Sequence, residues 1–384
     1  RIASTFGIDP VTARLIRNRD IVGDEAIRQY LYGTREDLRD PLAMKDVKPA
    51  VEILGKKIEE GRHIRIIGDY DIDGVMSTYI LYQSLLGLGA RADYTIPHRI
   101  LDGYGINEHL IEAAREDGVD TIVTCDNGIA AADQIRRAKE MGMTVIVTDH
   151  HEVPFVEENG VRREILPPAD AVVNPKQADC GYGFSGICGA VVAMKVMEAL
   201  YRARKPQVDL VDRMLPYAAM ATVGDVMDLV GENRIIVKEG LKRLHKTENL
   251  GLQELIRING LSPEQITSYH IGFVLGPCLN AGGRLDTARR ALALLCAEDR
   301  QEAARLAGDL KNLNDSRKDM TARGVEDAVR QVEEQNMTRD GVLVIFLPDC
   351  HESLAGIIAG RIREKYHRPT FVLTRGEEGV KGSG

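Results

Sequence analysis

Residues 63–74 read HIRIIGDYDIDG: a short run rich in isoleucine ends in three aspartates at alternate positions, followed by a glycine. The alternating apolar residues predict a buried strand at His63–Ile67, and an apolar helical pattern runs from Val75 to Leu88. A strand that passes through a short loop into a helix is typical of α/β folds.

The same alternation of strand and helix continues along the chain. Strands are predicted at Asp120–Thr124 and Thr144–Thr148, with shorter ones at Tyr94–Ile96 and Ala171–Val173. Helical patterns cover residues 106–116, 130–141, 187–203, 208–222 and 232–245. The sequence therefore predicts an α/β fold with a mainly parallel sheet flanked by helices. Ligands of such sheets bind beyond the carboxyl ends of the strands.

Four segments are predicted along the chain. Residues 1–50 form short helices, residues 51–298 form a larger α/β domain, residues 299–335 form a long charged connecting helix, and residues 336–384 form a smaller α/β domain. In this last domain we expect strands at Val342–Leu347 and Thr370–Thr374 around a helix at Leu354–Lys365. Residues 380–384 are expected to be a Gly-rich loop that leaves the domain incomplete at its C-terminus.

Composition narrows the class of protein. Hydrophobic residues make up 44% of the 384 residues and charged residues 28%, which is ordinary for a globular chain. No apolar run approaches the ~18 residues of a membrane span. Six scattered cysteines without a C-x-x-C pair suit the reducing cytoplasm.

The net charge of −8 lies entirely in residues 1–275, because residues 276–384 carry 17 basic and 17 acidic side chains. This balance excludes a protein that coats nucleic acid by bulk charge. Any phosphate chemistry must rely on local positive charge, from bound metals or a few arginines.

The aspartates at 69, 71 and 73 cannot all be buried and ionised without partners, because like charges at short range raise one another's pKa. A divalent cation would keep them ionised; a solvated turn or a helix N-terminus is the alternative. The motif also matches the first half of an EF-hand loop. That loop needs a glutamate at position 12, where this chain has Ile80.

Three further sites follow apolar segments: Asp126, Asp149–His151 and Asp225. Each alone is explained by a turn, a surface loop or a helix cap. Together, carboxylates with imidazoles and no thiolate describe a hard metal site, with Mn²⁺ favoured and Mg²⁺ as the alternative. The number of carboxylates indicates two divalent cations, and hydrolysis of phosphate esters or anhydrides is the chemistry that such a pair supports best.

The order of these motifs resembles that of a known family. The four motifs of the DHH phosphoesterase superfamily correspond, in order, to Gly68–Gly74, Cys125–Gly128, Asp149–His151 and Thr222–Asp225. Two longer strings, Gly276–Leu285 and His351–Arg361, resemble segments of the RecJ family of single-stranded-DNA exonucleases. The resemblance covers residues 50–384.

The resemblance implies a metal-dependent 5′→3′ exonuclease that degrades single-stranded DNA to mononucleotides in repair and recombination. It implies a DHH domain, a connecting helix and a smaller DHHA1 domain, with DNA between them. Single-strand-binding protein and a RecQ-type helicase are implied partners, and we expect a cytoplasmic monomer without membrane contact. An oligoribonuclease, or a small-nucleotide phosphodiesterase or phosphatase of the same superfamily, is the alternative. A non-enzymatic scaffold relative is disfavoured because all four motifs keep their acids.

By position, the resemblance implies metal ligands at Asp71, Asp73, Asp126, His150 and Asp225. Catalytic roles fall to Asp69, Asp126, His151 and Arg284, and Asp149 would orient a histidine. Some relatives carry a histidine just upstream of the aspartates. Here Ile66 and Ile67 stand in that stretch, so Asp69 or a water would take its place.

The resemblance places DNA phosphates against Asn280, Gly282, Gly283, Arg284, His351, Ser353 and Arg361. The two glycines would let backbone N–H groups approach an anion, and a tight turn without a ligand is the alternative. Ser353 would begin a helix whose N-terminus offers another anion-binding site. For Arg361, a solvated helix face is the alternative. With no Trp and six Phe, base stacking would fall to tyrosines such as Tyr104 or Tyr269.

Overall fold

The computed structural model describes residues 1–98, 105–158, 160–285, 287–376 and 379–384. A larger α/β part contains a five-stranded sheet, and a smaller part contains a three-stranded sheet. A 35-residue helix contacts both parts. The fold class expected from the sequence is therefore confirmed.

The strands account for both sheets and for one separate hairpin. They are β1 (His63–Ile67), β2 (Arg91–Thr95), β3 (Thr121–Cys125), β4 (Thr144–Thr148), β5 (Phe155–Glu158), β6 (Val161–Glu164), β7 (Ala171–Val173), β8 (Leu343–Phe346), β9 (Thr370–Gly376) and β10 (Gly379–Ser383). The larger sheet has the order β2-β1-β3-β4-β7, and every neighbouring pair is parallel.

Helices surround these strands. They are α1 (Ile2–Phe6), α2 (Pro10–Arg17), α3 (Asp24–Tyr32), α4 (Val47–Glu59), α5 (Ile72–Gly87), α6 (Glu108–Glu116), α7 (Ala132–Glu140), α8 (Gly189–Arg204), α9 (Leu210–Gly224), α10 (Gly231–Leu244), α11 (Leu250–Ile258), α12 (Ser268–His270), α13 (Gly276–Leu285), α14 (Arg289–Leu295), α15 (Arg300–Glu334) and α16 (Ala355–Tyr366). A π-helical turn at Ile271–Leu275 leads directly into α13.

Both faces of the five-stranded sheet are buried, and alternate residues divide between them. Ile66 and Val123 pack into one core with α4, α5, α8 and α9. Ile67 and Ile122 point the other way, into a smaller core with α6 and α7. A parallel sheet covered on both faces needs apolar residues at successive positions, which is why these strands read as continuous apolar runs.

Helix α5 begins at Ile72, three residues earlier than the apolar pattern predicts. Asp71 is the N-cap, and its Oδ1 accepts hydrogen bonds from the N–H groups of Asp73 at 2.9 Å and Gly74 at 3.0 Å. A capping carboxylate satisfies donors that the first helical turn leaves unpaired. The acidic motif is therefore itself part of the first turn of α5.

A buried ionic network joins the N-terminal segment to the larger part. Lys195 is fully buried, and its Nζ lies 2.8 Å from Glu232 and donates to the carbonyl of Arg39 at 2.6 Å. The Glu232 carboxylate also accepts the hydroxyl of Tyr182 at 2.5 Å. A buried charge is tolerated when it is paired and hydrogen-bonded in this way.

The connecting helix α15 lies within one residue of its expected bounds, with Asp299 as its N-cap. Near its start Ala303 and Leu310 pack into the core of the larger part. Near its end Ala328 and Val332 pack against the smaller sheet and α16. The boundaries at 50/51, 298/299 and 335/336 remain predictions.

The expectation of a C-terminal loop at residues 380–384 is wrong. Gly379–Ser383 form β10, which pairs antiparallel with β9, while β8 and β9 are parallel. Glycine is what allows the pairing, since a Cβ at Gly382 would lie 2.4 Å from the carbonyl oxygen of Val372. The composition of residues 380–384 is typical of a loop, but pairing with β9 makes this segment a strand.

Three further features of the described residues are a separate hairpin, the state of the cysteines and the character of the helices. The exposed β5–β6 hairpin, which the sequence did not predict, follows Asp149–His151 in the chain. All six cysteines are free. Within the described ranges, no helix has both the length and the apolar character to cross a membrane.

Gly240→Ala should destabilise the protein by about 1–3 kcal/mol, because overpacking a helix contact forces backbone shifts. A Cβ at Gly240 would lie 2.5 Å from the carbonyl oxygen of Leu215. Gly308→Ala is the matched control, since its Cβ would be 3.7 Å from Ile258 Cδ1. Urea denaturation should show Gly308→Ala neutral or slightly stabilising, and equal effects of the two would contradict this packing.

Candidate active site

Acidic and histidine side chains gather at one edge of the five-stranded sheet. Asp69 follows β1, Asp126 follows β3 and Asp149–His151 follow β4. The carboxyl ends of parallel strands meet at the same edge. Asp225 reaches this edge from another direction, as the residue that ends α9.

His150 lies among three carboxylates. Its Nε2 is 3.1 Å from Asp126 Oδ1, 3.5 Å from Asp73 Oδ2 and 3.7 Å from Asp225 Oδ2. Burial lowers the pKa of His150 despite these acids. The imidazole is therefore held towards its neutral form, which is the form that binds metals.

The potential ligand atoms form overlapping groups. In each group these atoms lie within 4.8 Å of one another: Asp126 with His150 and His151, Asp73 with His150 and Asp225, and Asp69 with Asp71 and Asp126. Asp126 and His150 each belong to two groups. Shared ligands of this kind suit two adjacent cations, which are typically about 3.5–4 Å apart.

Asp73 is completely buried and is held by the start of α8. Its two carboxylate oxygens accept the N–H groups of Gly189 at 2.6 Å and Ala190 at 2.8 Å. The positive end of the helix dipole stabilises a carboxylate at this position. Gly189 also leaves room for Asp126, because a Cβ there would be 2.9 Å from Asp126 Cβ. Sequence reasoning missed Gly189 and Ala190.

The carboxylates of the cluster oppose one another's ionisation. Burial, followed by the charge of Asp73, raises the pKa of Asp71. The same causes raise the pKa of Asp126 well above its usual range and that of Asp225 to about 7. These carboxylates therefore resist being ionised together, and a bound cation would stabilise their ionised forms.

Asp149 behaves differently from the other acids. Its Oδ1 lies 2.7 Å from His151 Nδ1 and accepts the N–H groups of His150 and His151, and its Oδ2 accepts the N–H of Ile129 at 2.9 Å. Burial opposes ionisation of Asp149, but these hydrogen bonds, chiefly that with His151, lower its pKa. The pKa of His151 is raised, first by its hydrogen bond with Asp149. Half of the His151 side chain remains exposed.

Sequence reasoning missed Asn127 as well, because Asp-Asn-Gly is a common turn sequence. Its Nδ2 donates to the carbonyls of Ile67 at 3.1 Å and Cys125 at 2.9 Å, and its Oδ1 accepts the N–H of Ile106. Asn127 thereby ties together the ends of β1 and β3. Beside it, Asp126 has a left-handed backbone with φ of 60°, a conformation found often at functional sites.

Gly282 and Gly283 lie within α13, so the tight turn that was the alternative interpretation is not formed. Both are buried in helical backbone, and a contact of their N–H groups with a DNA phosphate remains a prediction. Gly283 permits a close helix contact, since a Cβ there would be 2.3 Å from the carbonyl oxygen of Tyr70. Glycine at this position therefore brings α13 against the loop that carries Asp69 and Asp71.

Three of the predicted phosphate contacts meet where the larger and smaller parts touch. Arg284 Nη1 donates to the carbonyl of Ser353 at 3.0 Å, and Ser353 Oγ donates to the carbonyl of Arg284 at 3.1 Å. His351 Nδ1 lies 2.7 Å from Ser353 Oγ. His351 also lines a cavity of about 580 Å³ between α15 and the loop after β8.

Asn280 and Arg361 are the remaining predicted phosphate contacts. Asn280 is half-buried on α13, one turn before Arg284, and Arg361 is exposed on α16, where it is 3.8 Å from Glu364. Within the described residues, no hydrogen bond or ion pair joins Arg361 to Arg284 or His351. Their roles in phosphate binding remain predictions.

Of the two tyrosines proposed for base stacking, Tyr104 lies outside the described residues. Tyr269 is 62% exposed and stacks on Phe273, with 5.0 Å between ring centroids and 28° between ring planes. The sequence did not single out Phe273, although an exposed phenylalanine in a chain with few aromatic residues is informative.

The fold and the carboxylate–histidine cluster define a DHH-type protein. A model of the DHH family, N-terminal domain, matches residues 63–222. The single-stranded-DNA-specific exonuclease RecJ of Bacillus subtilis is 37% identical over 371 residues, which cover 97% of this chain. A crystal structure of exonuclease RecJ bound to manganese superimposes with a TM-score of 0.75 at 32% identity, covering 87% of this chain and 81% of that one. The chain belongs to the RecJ family.

The chain corresponds to only part of the length of these relatives. The chain spans 45% of the Bacillus subtilis protein. A structure of RecJ in complex with Mn²⁺ from Thermus thermophilus superimposes with a TM-score of 0.74 at 30% identity. This superposition covers 96% of the present chain and 53% of that one.

Asp225→Asn should stabilise the metal-free protein by up to about 4 kcal/mol at pH 8 and have much less effect at pH 4. The folded pKa of about 7 lies above the ordinary value of 3.8, so the wild-type protein loses stability as pH rises between the two. Urea denaturation with a chelator should show this, whereas Asp228→Asn, an exposed neighbour, should change little. If the free energy of unfolding of Asp225→Asn fell with pH as steeply as that of the wild-type protein, this electrostatic interpretation would be contradicted.

Proposed function

We propose that this chain is the catalytic portion of a metal-dependent exonuclease that hydrolyses single-stranded DNA from the 5′ end and releases mononucleotides, in DNA repair and recombination. The carboxylate–histidine cluster at the edge of the parallel sheet is the observation that carries the proposal. Membership of the RecJ family supports the substrate, because the matched relatives are named single-stranded-DNA-specific exonucleases.

Two divalent cations fit the donor set, and Mn²⁺ is favoured over Mg²⁺ because an imidazole joins the carboxylates. Asp69, Asp71 and Asp126 would surround one cation, while Asp73, His150 and Asp225 would surround the other. The raised pKa values of Asp71, Asp126 and Asp225 support this fit, since a positive charge would relieve their repulsion. Such cations activate water and neutralise charge at phosphorus.

His151 is positioned to act on the phosphate. Asp149 holds His151 Nδ1, and about half of the His151 side chain is exposed. The raised pKa of His151 favours the protonated ring. A protonated imidazole at this position would donate to a phosphate oxygen and stabilise the charge that develops there.

Arg284, Ser353 and His351 would hold the DNA backbone next to this centre. They join α13, which contacts the loop of Asp69 and Asp71, to the smaller part. DNA would then lie in the cleft between the two parts. Single-strand-binding protein and a RecQ-type helicase as partners, a monomeric state and a cytoplasmic location complete the proposal.

Asp126→Ala should reduce hydrolysis of single-stranded DNA in Mn²⁺ by more than about 100-fold, since even groups that only orient metal ligands contribute about 10–100-fold. It should also abolish the rise in melting temperature that Mn²⁺ gives the wild-type protein. Asp133→Ala, an acid on α7 with an 86% exposed side chain, is the control for both measurements. Undiminished activity of Asp126→Ala would refute the site.

A timed digest of long single-stranded oligonucleotides, labelled at either end, tests polarity and product. We expect the 5′ label to appear first, as a mononucleotide, with DNA preferred over RNA and over dinucleotides. Duplex DNA of the same sequence is the control. If the enzyme turns over dinucleotides faster than long DNA, it is a small-nucleotide phosphodiesterase.

A further inference from the structure

The π-helical turn Ile271–Leu275 packs directly beneath the carboxylate cluster. A Cβ at Gly272 would lie 3.7 Å from Val223 Cγ1, two residues before Asp225. A Cβ at Gly276 would lie 3.5 Å from Ile72 Cδ1, between Asp71 and Asp73. π-Helical turns are rare and frequently mark functional sites.

The outer side of this turn carries an aromatic pair. Phe273 is 70% exposed and Tyr269 is 62% exposed, and their rings stack at 5.0 Å. Leaving two large rings in water forgoes the free energy that burying them would provide. Their mutual stacking holds the rings in one orientation, so the pair presents a fixed apolar surface to solvent.

A second unfavourable feature follows Asp225 in the chain. Val226, directly after Asp225, is 86% exposed and has a left-handed backbone with φ of 57°. A β-branched residue in this region is a genuine outlier, and such strain is concentrated at ligand sites. The segment that contains Val226 continues from the end of α9, against which the π-helical turn packs.

We propose that Tyr269 and Phe273 form a platform on which an unpaired nucleobase stacks while its phosphodiester occupies the carboxylate cluster. The proposal rests on the proposed function and specifies how the site selects its substrate. A base in a duplex is already stacked and paired, so only a single strand can present a free face. Base capture would therefore contribute to strand selectivity.

Kinetics with Phe273→Ala test the platform in the presence of Mn²⁺. KM for a single-stranded oligonucleotide should rise by about tenfold, which is the order expected for the loss of one aromatic–base stack. The kcat should stay within about threefold, because the carboxylates and His151 are unchanged. An oligonucleotide with abasic sites at its 5′ end should show equal KM with wild type and variant.

Matched variants separate stacking from other roles. Phe273→Trp should restore KM, whereas Phe273→Leu, which keeps apolar area but no ring, should not. Phe371→Ala removes a phenylalanine with 47% exposure from the smaller sheet and should leave KM unchanged. An equal rise in KM for base-containing and abasic DNA would overturn the platform, as would self-association that is lost in Phe273→Ala without a change in KM.

Binding of an oligonucleotide that carries 2-aminopurine near its 5′ end, without metal, provides a test independent of catalysis. Stacking should quench the fluorescence with wild type and not with Phe273→Ala. Quenching without any hydrolysis in Mn²⁺ would refute the proposed function and keep the platform. Hydrolysis without quenching would refute the platform alone.

Discussion

Repulsion among buried carboxylates is the constraint on which the rest of this structure depends. The fold answers it with backbone donors: the first turn of α5 binds Asp71, the start of α8 binds Asp73, and loop amides bind Asp149. These donors fix the positions of the acids without neutralising the whole cluster. The remaining negative charge is what gives the site its affinity for cations.

Much of the fold could be predicted because the parallel sheet is buried on both faces. Strands such as Thr144–Thr148 need successive apolar residues, and the acids that end them mark the functional edge. Helix starts were less accurate, because a capping side chain such as Asp71 determines where a helix begins. The apolar pattern carries no information on the hydrogen bonds that Asp71 accepts from Asp73 and Gly74.

Glycine is a second source of difficulty. The residues around Gly382 have the composition of a loop, yet Gly382 lies in a strand, and Gly283 lies in a helix; each permits a close backbone contact. Such contacts depend on the tertiary neighbour, which a single sequence does not contain. For the same reason the amides of Gly189 and Ala190, which hold Asp73, carry no local signal.

Gly283 and Arg284 are adjacent on α13, but one contacts the larger part and the other contacts the smaller part. One lies against the carbonyl of Tyr70, and the other binds Ser353 in the smaller part. A single turn of helix therefore connects the two parts. A displacement of the smaller part would be transmitted along α13 to the loop that carries Asp69 and Asp71.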